Sequence, residues 1–428
     1  MNEKIGYKDI FRQREYMKMI IAALINRFGD SIDAIATTWL VYEITNDAAW
    51  SAIIYAINRV PTVVITPFAG AWVEGRNKKR IMIITDIIRA ICVAVVATGY
   101  LFNFLQAWIL VLTTLIISTV EAFRGPANSA LTPQILEKQF YEYGMSLMST
   151  LSTVVELIGT ALAAGIIALI GTAGAIYVDM STFLLSAMII MLVNVKETNQ
   201  IRQKFNVNEY KENLLSGFKY VKSEKKILFF CGIAIFLNAV LVPFNSLQAP
   251  LTNEILHGGA EVLSVLGIAL TGGMIIGSVS YPIFRKVMSA RKIVLFAGLG
   301  IGCYYIGLIG FEPLYQSKAF MYFYVAFSSA VFGMLATFFN SFGNVELMKI
   351  IDEKYIARTI AVTTALCSAA MPFISMLISS IVALVDTKWI FLIAGVADII
   401  YILCIIQNKA LDSQDEILEK GFSVPQSE

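Results

Sequence analysis

Apolar residues gather into twelve runs, at about 19–43, 49–73, 81–101, 107–123, 145–170, 173–195, 227–250, 262–284, 293–311, 319–342, 359–385 and 389–406. Each is near the ~20 residues that a helix needs to cross a bilayer, so the pattern predicts an all-α membrane protein of twelve transmembrane helices. Basic residues follow the same alternation. Of 33 lysines and arginines, 28 lie before the first run, in every second gap after it, or in the tail. The other gaps hold only Lys318 and Lys388, and Arg27, Arg59 and Arg89 lie inside runs. Because cytoplasmic loops retain the excess of Lys and Arg, a multi-pass plasma-membrane protein with both termini in the cytoplasm is expected.

The longest polar gap, 196–226, leaves six runs on either side, which suggests two six-helix bundles, 1–195 and 227–407, joined by a cytoplasmic linker. Within the linker, Tyr210, Leu214, Leu215, Phe218 and Val221 recur at helical spacing among charges, the pattern of an amphipathic helix lying on the membrane surface. The tail, 408–428, is polar and mildly acidic and is expected to be flexible. A weak internal echo supports repeated halves: GAWVEGRNKKR at 70–80 and PIFRKVMSARK at 282–292 are short basic turns at matching places.

Composition agrees and narrows the chemistry. With 57% hydrophobic residues, 15% charged residues and a mean hydropathy of +0.71, the chain is built for lipid. The net charge of +2 is a sum over opposed faces and implies no nucleic-acid partner. Cys92, Cys231, Cys303, Cys367 and Cys404 lie in apolar runs without CxxC spacing, and the single histidine, His257, falls in an outer loop, so a zinc site is not expected. The first run is too long for a cleaved signal peptide and contains Arg27, Asp30 and Asp33. Absence of a P-loop argues against ATP use, and absence of HExxH and GxSxG argues against an intramembrane enzyme. No cofactor and no metal are expected, and the partners are a small-molecule substrate and the bilayer, with the protein a monomer.

Charges within the spans are the candidate chemistry, since an ion in hydrocarbon costs about 2.5–3.5 kcal/mol and persists only with a partner or a wet cavity. At ~1.5 Å per residue, Asp30 lies ~18 Å into the first helix, with Asp33 one turn further. Arg59 on the second helix and Glu156 on the fifth reach the same level, and Arg27 and Asp30 are spaced to pair along one face. Asp30, Asp33 and Glu156 are therefore read as proton-coupling candidates, with Arg27 and Arg59 as counter-ions. Carboxyls titrate differently beside arginines than in apolar surroundings, so moving between the two couples a proton to a change of shape. A static salt-bridge cluster is the alternative. Asp179 and Asp398 are expected to have structural partners.

The loop 70–80 resembles the G-x-x-x-D-R-x-G-R-R pattern of the major facilitator superfamily. Gly70 matches, Glu74 stands for the Asp, Gly75 replaces the first Arg, Arg76 is displaced by one, and Lys78, Lys79 and Arg80 close the loop. Further fragments are similar to the drug-exporting branch that contains macrolide efflux proteins: Gly29-Asp30, Pro61 and Pro67, DIIRA at 86–90, PANSALTPQI at 126–135, VDMSTFLLSA at 178–187 and AMPF at 370–373. Two stretches depart from it. LIISTVEAF at 115–123 lacks the fourth-helix arginine of many proton-driven exporters, and ELIGTALAAG at 156–165 lacks the proline of the antiporter pattern.

The resemblance implies a carrier that works by alternating access. It implies a cytoplasmic gate from Gly70, Glu74, Arg76, Lys78, Lys79, Arg80, Asp86 and Arg89, with Glu74 facing the start of the eleventh helix near Thr359. It also implies a central cavity lined by helices one, four, seven and ten. Asn238, Phe244, Asn245 and Gln248 on the seventh, where Pro243 and Pro250 bend the chain, and Tyr324, Phe332, Phe338, Phe339 and Asn340 on the tenth would suit a bulky amphipathic ligand, although each Phe also fits plain helix packing. The expected function is proton-coupled export of hydrophobic or amphipathic, macrolide-like compounds. The alternative is a facilitator or symporter of a small, possibly anionic, metabolite.

Overall fold

The computed structural model describes residues 10–74, 76–195, 218–351 and 356–408, and every regular element among them is helical. In chain order these are α1 (Arg14–Thr45), α2 (Ala48–Glu74), α3 (Lys78–Leu101), α4 (Ala107–Ile135), α5 (141–170), α6 (172–191), α7 (Lys225–Ser246), α8 (Ala260–Val287), α9 (Ala290–Gly310), α10 (Lys318–Ile350), α11 (Ile356–Val382) and α12 (Thr387–Ile405). Helices α5 and α6 form one continuous stretch bent at Gly171, whose φ of 74° and ψ of 169° suit only glycine. Ten helices among the described residues are long and apolar enough to span a bilayer by themselves. The stretch from Tyr143 to Met191 has 49 residues, ~73 Å at ~1.5 Å per residue, which is two crossings of a ~30 Å core. Adding α1, which has the length but carries charges, makes twelve.

The chain divides into two compact units, Met1–Asn206 with Gly259–Ser264, and Val207–Gly258 with Val265–Glu428. Within the first, α1 and α3 pack on the α5–α6 stretch and α2 packs on α4. Within the second, α7 packs on α11 and α9 on α12, and α8 meets α10 backbone to backbone, a Cβ on Gly273 falling 1.9 Å from the Ala330 carbonyl and one on Gly333 2.2 Å from that of Leu270. Small residues permit this approach where no hydrophobic force separates protein from lipid.

The echo between the two basic turns has a structural counterpart. Asn77 accepts from the Arg80 amide at 2.9 Å to begin α3, and Ser289 accepts from the Lys292 amide at 3.4 Å to begin α9. Each is a side-chain N-cap followed by basic residues. At the same end of the first unit, Lys18 donates to the Leu192 carbonyl at 2.9 Å and Lys79 to that of Met191 at 2.7 Å, so two ammonium groups cap the α6 C-terminus. Of the expected linker helix, Tyr210, Leu214 and Leu215 lie outside the described residues. Phe218 is exposed, and Val221 is buried against Ile227, Cys231, Ile351 and Val362. Of the tail, only Asn408 is described.

Candidate functional site

Four charged side chains and one amide are linked in an open ring in the first unit. Asp30 on α1 accepts from Arg89 Nη2 of α3 at 2.6 Å. Nearly one turn before Arg89, Asp86 accepts from Arg124 of α4, Nε at 2.5 Å and Nη2 at 3.2 Å, and from Ser186 Oγ of α6 at 2.8 Å. Asn26, one turn before Asp30, joins the pairs, donating to Asp30 Oδ2 at 3.1 Å and accepting from Arg124 Nη2 at 3.0 Å. The cluster is buried at its centre, with Asp86 0%, Asn26 3% and Arg89 4% exposed, and opens at Asp30, whose side chain is 30% exposed. The Arg89 guanidinium carbon also lies 4.1 Å from the centre of the Phe183 ring.

Gly29 explains how α6 comes so close. A Cβ there would fall 2.0 Å from Thr182 Oγ1 and 2.4 Å from Asp179 Oδ1. The Gly29-Asp30 pair thus combines a bare face against α6 with a carboxylate directed at α3. Buried Asp179 accepts from Thr182 Oγ1 at 3.3 Å and lies within electrostatic reach of Asp30, Asp33 and Arg89. Asp33, half-buried, accepts from Thr37 Oγ1 at 2.8 Å and forms no ion pair with a described base. A separate pair joins Arg27 Nη2 of α1 to Glu156 Oε2 of α5 at 2.5 Å, with the side chains 45% and 34% exposed.

Several expectations are corrected by this geometry. Arg27 pairs with Glu156 instead of Asp30, because Asp30 turns to α3. Arg59 joins no acid at the expected level; it is exposed and lies 5.2 Å over the ring of Tyr55, one turn back on its own helix. Asp86 and Arg89 are spaced like a latch on one helix but bond across helices, in the buried ring and apart from the basic loop. Asp179 belongs to the neighbourhood of the ring and not to a peripheral pair.

Arg124 is the residue that the run pattern missed. Ending the fourth run at 123 placed it in a cytoplasmic gap, whereas α4 continues to Ile135 and buries its guanidinium against Asp86, leaving the side chain 15% exposed. The arginine absent from LIISTVEAF is the residue directly after it. The sequence hid it, because Gly125 and Pro126 directly after it read as turn residues although α4 continues through them.

In the gate loop, the Arg76 guanidinium lies 3.7 Å over the Trp72 ring, Lys78 is buried, Lys79 caps α6, and Arg80 is exposed with its amide held by Asn77. A Cβ on Gly70 would meet nothing within 4 Å. The side chain of Glu74 lies outside the described residues, as does Gly75, so the expected pairing with the start of α11 does too. Thr359 itself is fully buried.

The expected substrate cavity is also revised. Phe244, Phe332, Phe338 and Phe339 are at most 3% exposed. Phe244 meets Phe332 at 5.0 Å, Tyr304 stacks on Phe332 at 4.3 Å, and Phe338 meets Phe284 at 5.2 Å, so they pack in the core of the second unit, and Phe332 with Tyr324 also lines a groove between α9 and α10. Tyr305 ties that core to α7 by donating to the Val240 carbonyl at 2.8 Å. Asn238 satisfies its amide on the Ala234 carbonyl of its own helix at 2.9 Å. Asn245 and Asn340 are exposed, and Gln248 and Tyr324 are half-buried. Asp398 is buried, and the backbone of Gly302 on α9 is the polar group that its carboxylate faces.

Comparison with known proteins gives the same architecture. The family described as transmembrane secretion effectors matches residues 9–426. Macrolide efflux protein A of Streptococcus pyogenes is 22% identical over 387 residues, covering 90% of this chain and 94% of that protein. Multidrug efflux pump Tap of Mycolicibacterium fortuitum is 22% identical over 290 residues, 66% of this chain and 70% of that protein. Among solved structures, nucleoside transporter NupG superposes with a TM-score of 0.72 at 12% identity, over 91% of this chain and 98% of that one. A bacterial homologue of the iron transporter ferroportin, in its inward-facing state, gives 0.70 at 14% identity, over 92% and 99%.

Proposed function

Since the chain belongs to the transmembrane secretion effectors of the major facilitator superfamily, and so is an integral membrane transporter of small molecules and not an enzyme, we propose that it exports hydrophobic or amphipathic compounds by proton antiport. The observation that carries the proposal is the charge balance around the ring. Arg89 and Arg124 are each committed to a carboxylate, while Asp33 and Asp179 sit beside Asp30 with no ion-paired arginine of their own among the described residues. Asp30, Asp33 and Asp179 all lie in the field of Arg89, with Arg124, Arg27 and Glu121 acting on Asp30 as well, so a proton can be held among the three carboxylates and released when α1 shifts against α6. Such a shift would alter the Asp30–Arg89 bond first, and through Asn26 the Asp86–Arg124 pair, coupling protonation to the packing of four helices. Of the three proton candidates Asp30, Asp33 and Glu156, Asp30 holds Arg89 and Glu156 holds Arg27, which favours Asp33.

Drug-like cargo is supported by relatives named for macrolide and multidrug efflux. An anionic metabolite is disfavoured, because of the four arginines within the spans of the first unit three are neutralised by carboxylates and Arg59 lies over Tyr55. The test is dye or macrolide flux in proteoliposomes with an imposed pH gradient. Asp33→Asn should abolish gradient-driven flux while retaining substrate binding, and Glu156→Gln should retain both. Gradient-driven flux that persists in both Asp33→Asn and Asp179→Asn, or is insensitive to a protonophore, sinks the antiport reading. A drug-susceptibility panel in a pump-deficient host would identify the cargo class.

A further inference from the structure

A groove of ≈ 680 Å³ lies in the second unit between α9 and α10. Its size is within the ~300–1,000 Å³ of small-ligand sites. The walls are apolar, from Phe296 and Leu299 on α9 to Phe327 and Val331 on α10, and Phe296 and Phe327 are exposed. In a membrane-spanning protein such a surface faces acyl chains.

Three features select the occupant. Eleven residues separate Lys292 at one end from Cys303 near the other, about 16 Å along α9, the depth of one leaflet of a ~30 Å core. The shallow end is cationic: Lys292 is exposed, with no carboxylate partner among the described residues. It lies in the first turn of α9, where the helix dipole adds positive potential. The same cation repels an amphipathic cation such as a basic drug.

The geometry points to an anionic phospholipid, with one acyl chain lying in the groove and its phosphate on Lys292. This site is independent of the proton ring and of the cargo. A tryptophan introduced in the groove reads occupancy directly. Leu299→Trp protein is reconstituted in vesicles of phosphatidylglycerol or phosphatidylcholine brominated on the acyl chains, and the fluorescence quenched in excess of the parent is measured. Brominated phosphatidylglycerol should bind about fivefold better than the zwitterionic lipid, the contribution of one lysine near an anionic surface. That preference should fall to parity when Lys292→Gln is added.

Equal quenching by the two lipids, or a preference that survives Lys292→Gln, would overturn the assignment. So would stronger quenching by a brominated fatty acid than by phosphatidylglycerol at equal mole fraction, which would assign the groove to free anionic amphiphiles. Val331→Trp, on the opposite wall, gives the same readout should Leu299→Trp fail to fold.

Discussion

Asp86 concentrates the electrostatic cost of the first unit, since it is fully buried and accepts from two side chains, Arg124 and Ser186. Removing one partner of such a pair leaves a charge without compensation, whereas replacing both can be nearly neutral. Arg124→Met should therefore destabilise the protein by about 3–5 kcal/mol, and adding Asp86→Leu should recover most of the loss; thermal unfolding in detergent of the two variants checks both. A milder case lies outside the spans. Lys18 donates to Glu15 at 2.9 Å, the Asn194 amide donates to it at 2.6 Å, and these bonds hold the Glu15 carboxyl below the usual glutamate range. A carboxyl lowered on folding stabilises above its unfolded value and loses that contribution as pH falls through the folded one. Glu15→Gln should thus melt lower than the parent at pH 7, by about 1 kcal/mol or less given its exposure, and the two melting curves should converge as pH falls below ~4.3. The acids and arginines involved were legible one by one. Their partners were not, because depth along a helix says nothing about the direction in which a side chain points.

Helices in this protein are specified by composition, but their crossings are specified by glycine. Gly273 and Gly333 let α8 and α10 touch, and Gly302 and Gly395 bring α9 against α12, a Cβ on either falling 2.8 Å from the other's carbonyl. Gly273→Ala should lower the melting temperature, at an overpacking cost of about 1–3 kcal/mol, because the obstructing atom is the backbone oxygen of Ala330. Gly165→Ala, with nothing within 4 Å, should be neutral or stabilising by up to ~1 kcal/mol. The run pattern located each helix because period and length are local properties. It erred at α4, where a charge was taken for an end, and it separated α5 from α6 at 171–172, where the non-helical backbone of Gly171 divides the two spans.

The two units repeat one pairing scheme with different interiors, bonded ions in the first and stacked aromatics such as Phe244, Tyr304 and Phe332 in the second. For the whole molecule, the distribution of basic residues predicts that a membrane-impermeant maleimide labels His257→Cys in intact cells and Asn77→Cys only after permeabilisation. Both sites are exposed, and the reverse pattern would invert the topology. What the sequence by itself determined is the number and order of the spans, the helical class and, Arg124 apart, the charges at membrane depth. These follow from local requirements, since a backbone in lipid must bond to itself and its apolar length must match the hydrocarbon. Tertiary structure alone decided that Asp30 meets Arg89, that Asp86 meets Arg124, that Asp33 has no ion-paired arginine among the described residues, and that Phe244, Phe332, Phe338 and Phe339 pack inward. Those outcomes depend on how each helix is rotated about its own axis, and packing against neighbours far away in the chain fixes that angle.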